Sequence, residues 1–164
     1  MKIINLLYLI FSTIFSTNDV AKINKLKKEA ERYFFEKNYE LAINKYSYLL
    51  DSMNIEDDNV QLNLSHSYLL NNDTIKAIDE YNLLSSSKNN EIKSIAYQQL
   101  GVISNKHNKL EESLELFKNS IKANSLNTES KYNYELVTKR IKEQQNKEQQ
   151  NKEQQNKEQQ NKEQ

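Results

Sequence analysis

The 164-residue chain contains no cysteine and no proline, and its single glycine is Gly101. Without cysteine, disulfides, thiolate metal ligands and a lipidated N-terminal cysteine are excluded. The scarcity of the strongest turn formers argues against an all-β architecture with many tight turns. The 23 basic and 23 acidic residues give a formal net charge of zero, so the composition does not indicate a nucleic-acid partner. One glycine also cannot supply the glycine-rich loops that bind nucleotide phosphates.

An internal repeat dominates the middle of the chain. Residues 37–50 read KNYELAINKYSYLL, and variants return at 73–84 (DTIKAIDEYNLL) and 109–121 (KLEESLELFKNSI). Each copy has a small residue followed four positions later by an aromatic one: Ala42 and Tyr46, Ala77 and Tyr81, Ser113 and Phe117. The small residues are 35 and 36 positions apart, which is the length of a two-helix repeat. The pattern therefore predicts an all-α fold of three helical hairpins.

Capping and stop signals predict where these helices begin and end. Asn18 and Asp19 are expected to cap a helix that begins at Val20, and Asn38 is expected to stop it before a second helix begins at Tyr39. The other paired helices are predicted near residues 56–70, 73–86, 90–104 and 109–123, with Asp73 or Thr74 capping the second of these. A last helix is expected after Asn127, with one apolar face formed by Tyr134, Val137 and Ile141.

The N-terminal 17 residues, MKIINLLYLIFSTIFST, have one positive charge at Lys2 and a largely apolar run from residue 3 to 15. A run of this length is shorter than the roughly 20 residues of a transmembrane helix and is typical of a signal peptide. Residues 1–17 are therefore predicted to be a secretory signal that exports the protein. An uncleaved membrane anchor and a buried helix are the alternatives.

The tail, residues 142–164, repeats the pentamer KEQQN and has no apolar residue. Glu143 with Lys147, and Glu148 with Lys152, have the spacing of ion pairs on a helix, each worth roughly 0.2–0.5 kcal/mol. We expect a polar helix that continues from the last helix and frays towards its end. An expansion without dedicated function is one interpretation, and a spacer or solvating arm is the other.

The repeat resembles the tetratricopeptide repeat (TPR), a helix–turn–helix unit of about 34 residues. The residues that carry the resemblance are Ala30, Tyr33, Ala42 and Tyr46, then Leu64, Ser65, Tyr68, Ala77 and Tyr81, then Leu100, Gly101 and Phe117, with Ser104 and Ser113 as weaker matches. The resemblance implies an α–α superhelix over residues 18–141. Its repeats are expected at about 20–54, 58–89 and 92–125, followed by a capping helix at 128–141. The proline that the family has near the end of each repeat is absent, and Asn54, Asn89 and Ser125 stand in its place.

A narrower resemblance lies in the capping segment, which contains Tyr132-Asn133-Tyr134-Glu135-Leu136 before a basic helix and a Gln-rich tail. The arrangement is similar to the short exported repeat proteins of the Bat aerotolerance operon. This resemblance implies a scaffold at the periplasmic face of the inner membrane, with membrane-bound Bat components as partners and a role in aerotolerance or envelope stress. The alternatives are a general envelope-assembly adaptor and a structural spacer that acts through its tail. Contact with the membrane is expected only through the signal or anchor, or through a partner.

The sequence offers little for catalysis, which needs a nucleophile, an acid–base pair or a metal at fixed geometry. His66 has Leu62 and Leu70 at helical spacing, and His107 has one carboxylate, Glu111, across a predicted turn. Neither histidine has the neighbours of a metal site. We therefore expect a non-enzymatic protein without a metal or cofactor.

Protein or peptide binding by such stacks uses an extended concave face. The resemblance assigns that face to the first helix of each repeat, and Asn63 is the strongest candidate because an amide can both donate to and accept from a peptide backbone. The predicted groove residues are Lys27, Phe34, Leu62, Asn63, His66, Leu69, Gln98, Gln99 and Val102. Lys27 and Asn63 also match the carboxylate clamp of chaperone-tail-binding members, whereas Glu31, Ile95 and Gln99 do not, so a chaperone adaptor is disfavoured.

Overall fold

A computed structural model describes the backbone of residues 2–162 and the side chains of residues 19–156. Over that backbone the chain is all-α, with no strand, as the repeat pattern predicts. The helices are α1 (Lys2–Phe35), α2 (Tyr39–Ser47), a π-helical turn (Tyr48–Ser52), α3 (Asp58–Leu70), α4 (Thr74–Leu84), α5 (Asn90–Lys106), α6 (Leu110–Ala123) and α7 (Thr128–Lys162). The chain divides into two compact units, an N-terminal unit, Met1–Glu80, and a C-terminal unit, Tyr81–Gln164.

The N-terminal unit has an apolar core formed by α1, α2 and α3. Its fully buried members include the small residues Ala30 and Ala42, which leave room for the ring of Tyr46. The other buried members are Leu49, Val60 and Leu64. Small residues allow two helices to approach closely, and the aromatic ring fills the space beside the crossing. The repeat residues Ala42 and Tyr46 therefore both lie in the core.

Three helix ends share one backbone motif. Lys37, Asn72 and Asn108 all adopt the left-handed conformation, with φ angles of 60°, 63° and 58°. After each, the next N–H bonds back to a carbonyl of the preceding helix: Asn38 to Tyr33, Asp73 to Tyr68 and Lys109 to Ser104. This is the Schellman arrangement, which satisfies carbonyls at a helix end. The predicted stop at Asn38 is wrong by one residue, since Lys37 takes the left-handed position and Asn38 then precedes α2.

The C-terminal unit packs an aromatic ring against a glycine. A Cβ atom built on Gly101 would lie 2.9 Å from a ring carbon of Phe117, whose side chain is fully buried. Ser113 donates its hydroxyl to the Gly101 carbonyl at 2.8 Å, which joins α6 to α5 at the same level. The predicted apolar face of the last helix is also present, because Val137, Tyr134 and Ile141 of α7 pack with Phe117 and other residues of α6.

A buried polar network joins the start of α7 to α5 and α6. The side-chain amide of Asn127 donates to Ser94 Oγ at 3.0 Å and to Gln98 Oε1 at 2.8 Å. Its oxygen accepts from the backbone N–H of Ser130 at 2.9 Å, so Asn127 also caps α7. Ser120 Oγ lies 2.7 Å from Ser130 Oγ and 2.9 Å from Ser94 Oγ. No buried side-chain polar atom among residues 19–156 lacks a partner, so the network is compatible with burial.

Two sequence-based expectations about the ends of the chain need correction. The helix predicted to begin at Val20 begins at Lys2, because the residues before Asn18 include neither proline nor glycine and the helix continues through Asn18 and Asp19. The side chains of residues 1–18 lie outside the described part, and the signal peptide stays a prediction.

The C-terminal helix continues through the pentamer repeats to Lys162, as expected. The ion pair predicted between Glu143 and Lys147 is not formed, since Glu143 lies 3.9 Å from Lys139 instead. Both side chains of that pair are largely exposed, and exposed pairs contribute little that would select one rotamer.

Candidate functional site

The predicted groove residue Lys27 of α1 is bound by a carboxylate from the start of α3. Its Nζ lies 2.6 Å from Asp57 Oδ2, and the two side chains are 29% and 25% exposed. Asp57 also caps α3, because its Oδ1 accepts from the backbone N–H groups of Asn59 at 2.9 Å and Val60 at 3.3 Å. Burial raises the pKa of Asp57, but Lys27 and the two N–H groups outweigh it, and the pKa is lowered overall. The Lys27 ammonium is therefore neutralised within the N-terminal unit.

The side chain of the predicted groove residue Asn63 of α3 lies near the hydroxyl of Tyr46. Burial raises the pKa of Tyr46 to about 12, and the charge of Glu31 adds to this rise, while the neighbouring Asn63 side chain opposes it. The tyrosine is thus neutral at any physiological pH. Asn63 itself is half-buried, so its amide has hydrogen-bonding capacity at the surface.

The apolar groove residues of the N-terminal unit differ in accessibility. Leu62 is buried, whereas Phe34 and Leu69 are half-buried and keep part of their surface open. The ring of Phe34 packs edge to face with Phe35 and Tyr39, at centroid distances of 6.0 and 5.7 Å. These contacts restrict the ring and leave a firm apolar surface at the end of α1.

His66 is half-buried on α3, and burial lowers its pKa, which favours the neutral imidazole at neutral pH. His107, by contrast, is exposed at the end of α5. Across the described residues, no three His, Cys, Asp or Glu side chains are grouped so that they could hold a metal ion. No helix in that same part of the chain is long and apolar enough to cross a membrane.

The predicted groove residues of the C-terminal unit lie on α5. Gln98 is buried, with its carbonyl bound by Asn127 and its Nε2 donating to Glu129 Oε2 at 2.6 Å. Its amide therefore serves the packing of α7 on α5. Gln99 is half-buried and Val102 is 38% exposed, so both retain accessible surface.

Tyr46 and Asp57 of the N-terminal unit lie beside predicted groove residues but were not themselves predicted to be groove residues. The repeat pattern marks Tyr46 only as an aromatic position, and it does not include Asp57. The capping role of Asp57 could have been found from the sequence, since it directly precedes the apolar-periodic residues of α3. Its pairing with Lys27, 30 residues away, has no sequence signal.

Comparison with known proteins supports the fold. No protein-family model matches the chain, and no curated protein matches it either. The TPR domain of Sgt2 from Aspergillus fumigatus matches with a TM-score of 0.64 at 21% identity, over 76% of this chain and 82% of that domain. The first TPR domain of human RPAP3 matches with a TM-score of 0.62 at 19% identity, over 76% and 95% of the two chains.

A further solved structure with this fold contains a ligand. The first TPR domain of Spaghetti (RPAP3), bound to the HSP90 peptide SRMEEVD, matches with a TM-score of 0.60 at 19% identity. The match covers 73% of this chain and 92% of that domain. Together these likenesses show that the chain has the fold of TPR domains, an all-α helical repeat fold.

Proposed function

We propose that this protein is a non-catalytic scaffold that binds a partner protein or an extended peptide. The supporting observation is that α3 of the N-terminal unit carries the half-buried side chains of Asn63 and Leu69, and that α1 carries the half-buried Phe34. A peptide needs both kinds of contact, because backbone groups require hydrogen-bond partners and apolar side chains require a surface. Side chains held by packing lose less entropy when a peptide binds.

We propose that the ligand places no free carboxylate next to Lys27. A carboxylate there would have to displace Asp57, which already holds the Lys27 ammonium at 2.6 Å and would remain nearby as a repelling charge. This distinguishes the proposed ligand from a peptide such as SRMEEVD, which is bound by the Spaghetti domain. Phe34 and Leu69 favour a segment with apolar side chains.

The protein is proposed to act after export, at the periplasmic face of the inner membrane. The support is the short apolar run at residues 3–15, which has the length of a signal sequence. By the resemblance of its capping segment, membrane-bound Bat components are the proposed partners and aerotolerance or envelope stress the proposed role. A general envelope-assembly adaptor is the alternative that the same surface would serve. Fractionation of cells that express the full chain tests the location, and recovery in the cytosol would contradict it.

A second candidate function is a structural spacer. The observation that favours it is the continuation of α7 to Lys162, about 30 Å beyond Ile141 at 1.5 Å per residue. The described side chains of this extension, up to residue 156, are exposed. A spacer would act through residues 142–164 and would not need the surface around Asn63.

The decisive experiment is crosslinking and capture of partners from native membranes by the full chain. The test variant is Asn63→Ala with Leu69→Ala. Asn82→Ala with Leu83→Ala is the matched control, because both of its residues are exposed on α4 and the same chemical groups are removed. The scaffold proposal expects capture to be lost in the test variant and kept in the control and after deletion of residues 142–164. Equal capture by both double variants would overturn the proposed surface, and loss only on tail deletion would favour the spacer.

A further inference from the structure

On one face, α1 differs from α3, α5 and α7. In α3, α5 and α7, three side chains spaced by four and then three residues form a buried or half-buried stripe: Val60, Leu64 and Ser67; Ala96, Leu100 and Ile103; Ser130, Tyr134 and Val137. One repeat earlier, α1 has Lys25, Glu29 and Arg32 at this register. The side chains of Lys25 and Arg32 are 78% and 56% exposed. The positions that are packed in α3, α5 and α7 therefore form a charged surface on α1.

The charge of this surface is mainly positive. Glu29, its central carboxylate, is held by Lys45 of α2 at 2.8 Å, and that hydrogen bond lowers the pKa of Glu29. Lys25 is 4.0 Å from the same carboxylate and is mostly solvated, and Arg32 has the exposed Glu36 at 3.4 Å. Lys28 is exposed beside them, and no described carboxylate lies within salt-bridge distance of it. Lys25, Lys28 and Arg32 are here called the α1 basic face.

The shape of this face suits an extended surface of anions better than one small anion. It borders an open cleft of about 510 Å³ whose lining residues, from Ala21 to Arg32, all belong to α1. These residues span about 16 Å along one helix at 1.5 Å per residue. Among the described residues no side chain of a second helix lines the cleft, and Lys45 of α2, which lies beside it, is bound to Glu29. A lipid surface presents many headgroup phosphates over such a length.

The position of the face in the chain also favours a membrane. The apolar run at residues 3–15 precedes it in the sequence, and nine residues separate the end of the run from Lys25. In the alternative in which this run is retained as a membrane anchor, the basic residues that follow it gain attraction from anionic lipids, and two weak membrane signals together bind much more firmly than either alone. A soluble nucleic acid would gain nothing from the neighbouring apolar run.

We propose that the α1 basic face binds the anionic headgroups of the membrane on which this protein acts. The inference goes beyond the proposed scaffold function, since the α1 basic face contains none of the predicted groove residues. The headgroup contact would hold the α1 side of the N-terminal unit against the membrane.

The test is flotation of the full chain with vesicles of phosphatidylglycerol and phosphatidylcholine (3:7), and with vesicles of phosphatidylcholine alone. The variant Lys25→Gln, Lys28→Gln, Arg32→Gln is compared with Lys118→Gln, Lys122→Gln, Lys131→Gln, which removes the same charge from exposed residues of the C-terminal unit. The parent chain should prefer the anionic vesicles. The α1 variant should lose about 100-fold of its partition into them, and the control variant less than about twofold.

Two results would overturn the proposal. The first is equal partition of the parent chain into both vesicle types, or equal loss in both variants at unchanged helical circular dichroism. The second is tighter binding of a 20-nucleotide RNA than of anionic vesicles at physiological salt, which would make the face a nucleic-acid surface. The flotation experiment measures the lipid preference of the purified chain. A negative result would therefore not affect the scaffold proposal, which is tested by partner capture.

Discussion

The two units of this protein solve the same packing problem with different chemistry. In the N-terminal unit the small residue at the helix crossing is Ala30 or Ala42, and the surrounding contacts are apolar. In the C-terminal unit the corresponding places are occupied by Gly101 and Ser113, and the serine hydroxyl donates to the glycine carbonyl. The repeat therefore requires a small side chain at these positions. Apolarity is dispensable there when the hydroxyl has a partner.

The difference extends to the way the third helix of each unit is attached. In the N-terminal unit, Val60 and Leu64 of α3 join the apolar core, and one ion pair, Lys27 with Asp57, ties α3 to α1. In the C-terminal unit, Ser130 and Asn127 place the start of α7 in a hydrogen-bonded network. Apolar contacts tolerate small shifts, whereas a satisfied polar network demands one register. We therefore expect α7 to be the more sharply positioned helix.

The largest expected effect comes from removing the aromatic residue of a repeat in either unit. Tyr46 and Phe117 are 1% and 0% exposed, so Tyr46→Ala and Phe117→Ala should each lower the free energy of unfolding by about 3–5 kcal/mol. Urea denaturation followed by circular dichroism measures this. Phe35→Ala is the control, since Phe35 is 80% exposed and its removal should cost about 0.5 kcal/mol or less. A change below 1 kcal/mol in either test variant would contradict the shared packing role.

Asn127→Ala tests how much the polar network, as distinct from apolar contacts, contributes to the attachment of α7. It removes the cap of α7 and the amide that donates to Gln98 and Ser94, so a loss of about 2 kcal/mol is expected. Amide hydrogen exchange should quicken in the first turns of α7 before it does so in α5. The control is Asn124→Ala, whose side chain accepts one exposed backbone bond from Leu126. Equal effects of the two changes would mean that the network adds nothing.

Gly101→Ala tests whether volume decides the choice of small residue. The added Cβ would meet the Phe117 ring at 2.9 Å, and a buried ring has little room to move. The crowding should cost about 1–3 kcal/mol and the better helix propensity should return about 1 kcal/mol, leaving a net loss near 1 kcal/mol. Phe117→Leu in the same chain should reduce that penalty in a double-mutant cycle. Stabilisation by Gly101→Ala alone would show that the close contact is relieved without strain.

The smallest expected effect is a pH dependence confined to the N-terminal unit. The pKa of His66 lies below its ordinary value of 6.5 in the folded protein, so the unfolded chain binds the proton more readily. The stability that neutral His66 contributes is complete above pH 6.5 and is lost as the pH falls towards the lowered pKa. We expect Tm to fall by less than about 4 °C between pH 7.5 and 5.5, and this fall to shrink in His66→Gln.

The exposed His107 supplies the control for that measurement, because His107→Gln should leave the pH dependence unchanged. Asp57, whose pKa is also lowered, has an ordinary value of 3.8 and titrates in a separate, more acidic range. An identical fall in the parent and His66→Gln would assign the dependence to other groups.

Much of the fold could be predicted from the sequence because its signals are local and periodic. The repeat of a small residue followed by an aromatic one predicted the burial of Ala77 and Tyr81, both fully buried in the structure. Capping chemistry predicted the start of α7 after Asn127 and the cap of α4 at Asp73, whose carboxylate accepts from the Lys76 N–H. The start of α1 was missed because Asn18 and Asp19 can occupy a helix as well as begin one.

The candidate site was less accessible to prediction. Helical register placed Asn63 and Gln98 on comparable faces, but it could not tell that Gln98 would be buried in the network with Asn127 and Glu129. Whether a polar side chain stays at the surface depends on which helix packs beside it. For Gln98 that helix is α7, whose Glu129 lies 31 residues later in the sequence.

The sequence by itself thus determined the all-α class, the repeat period and the residues that fill each helix crossing, since a period of 3.6 residues and a cap are properties of neighbours along the chain. Tertiary structure alone decided the pairing of Lys27 with Asp57, the proximity of Asn63 to Tyr46 and the exposure of the charged stripe on α1. Those features arise where separate helices meet or fail to meet. Charge neutralisation and burial are then set by distances in space that no local pattern records.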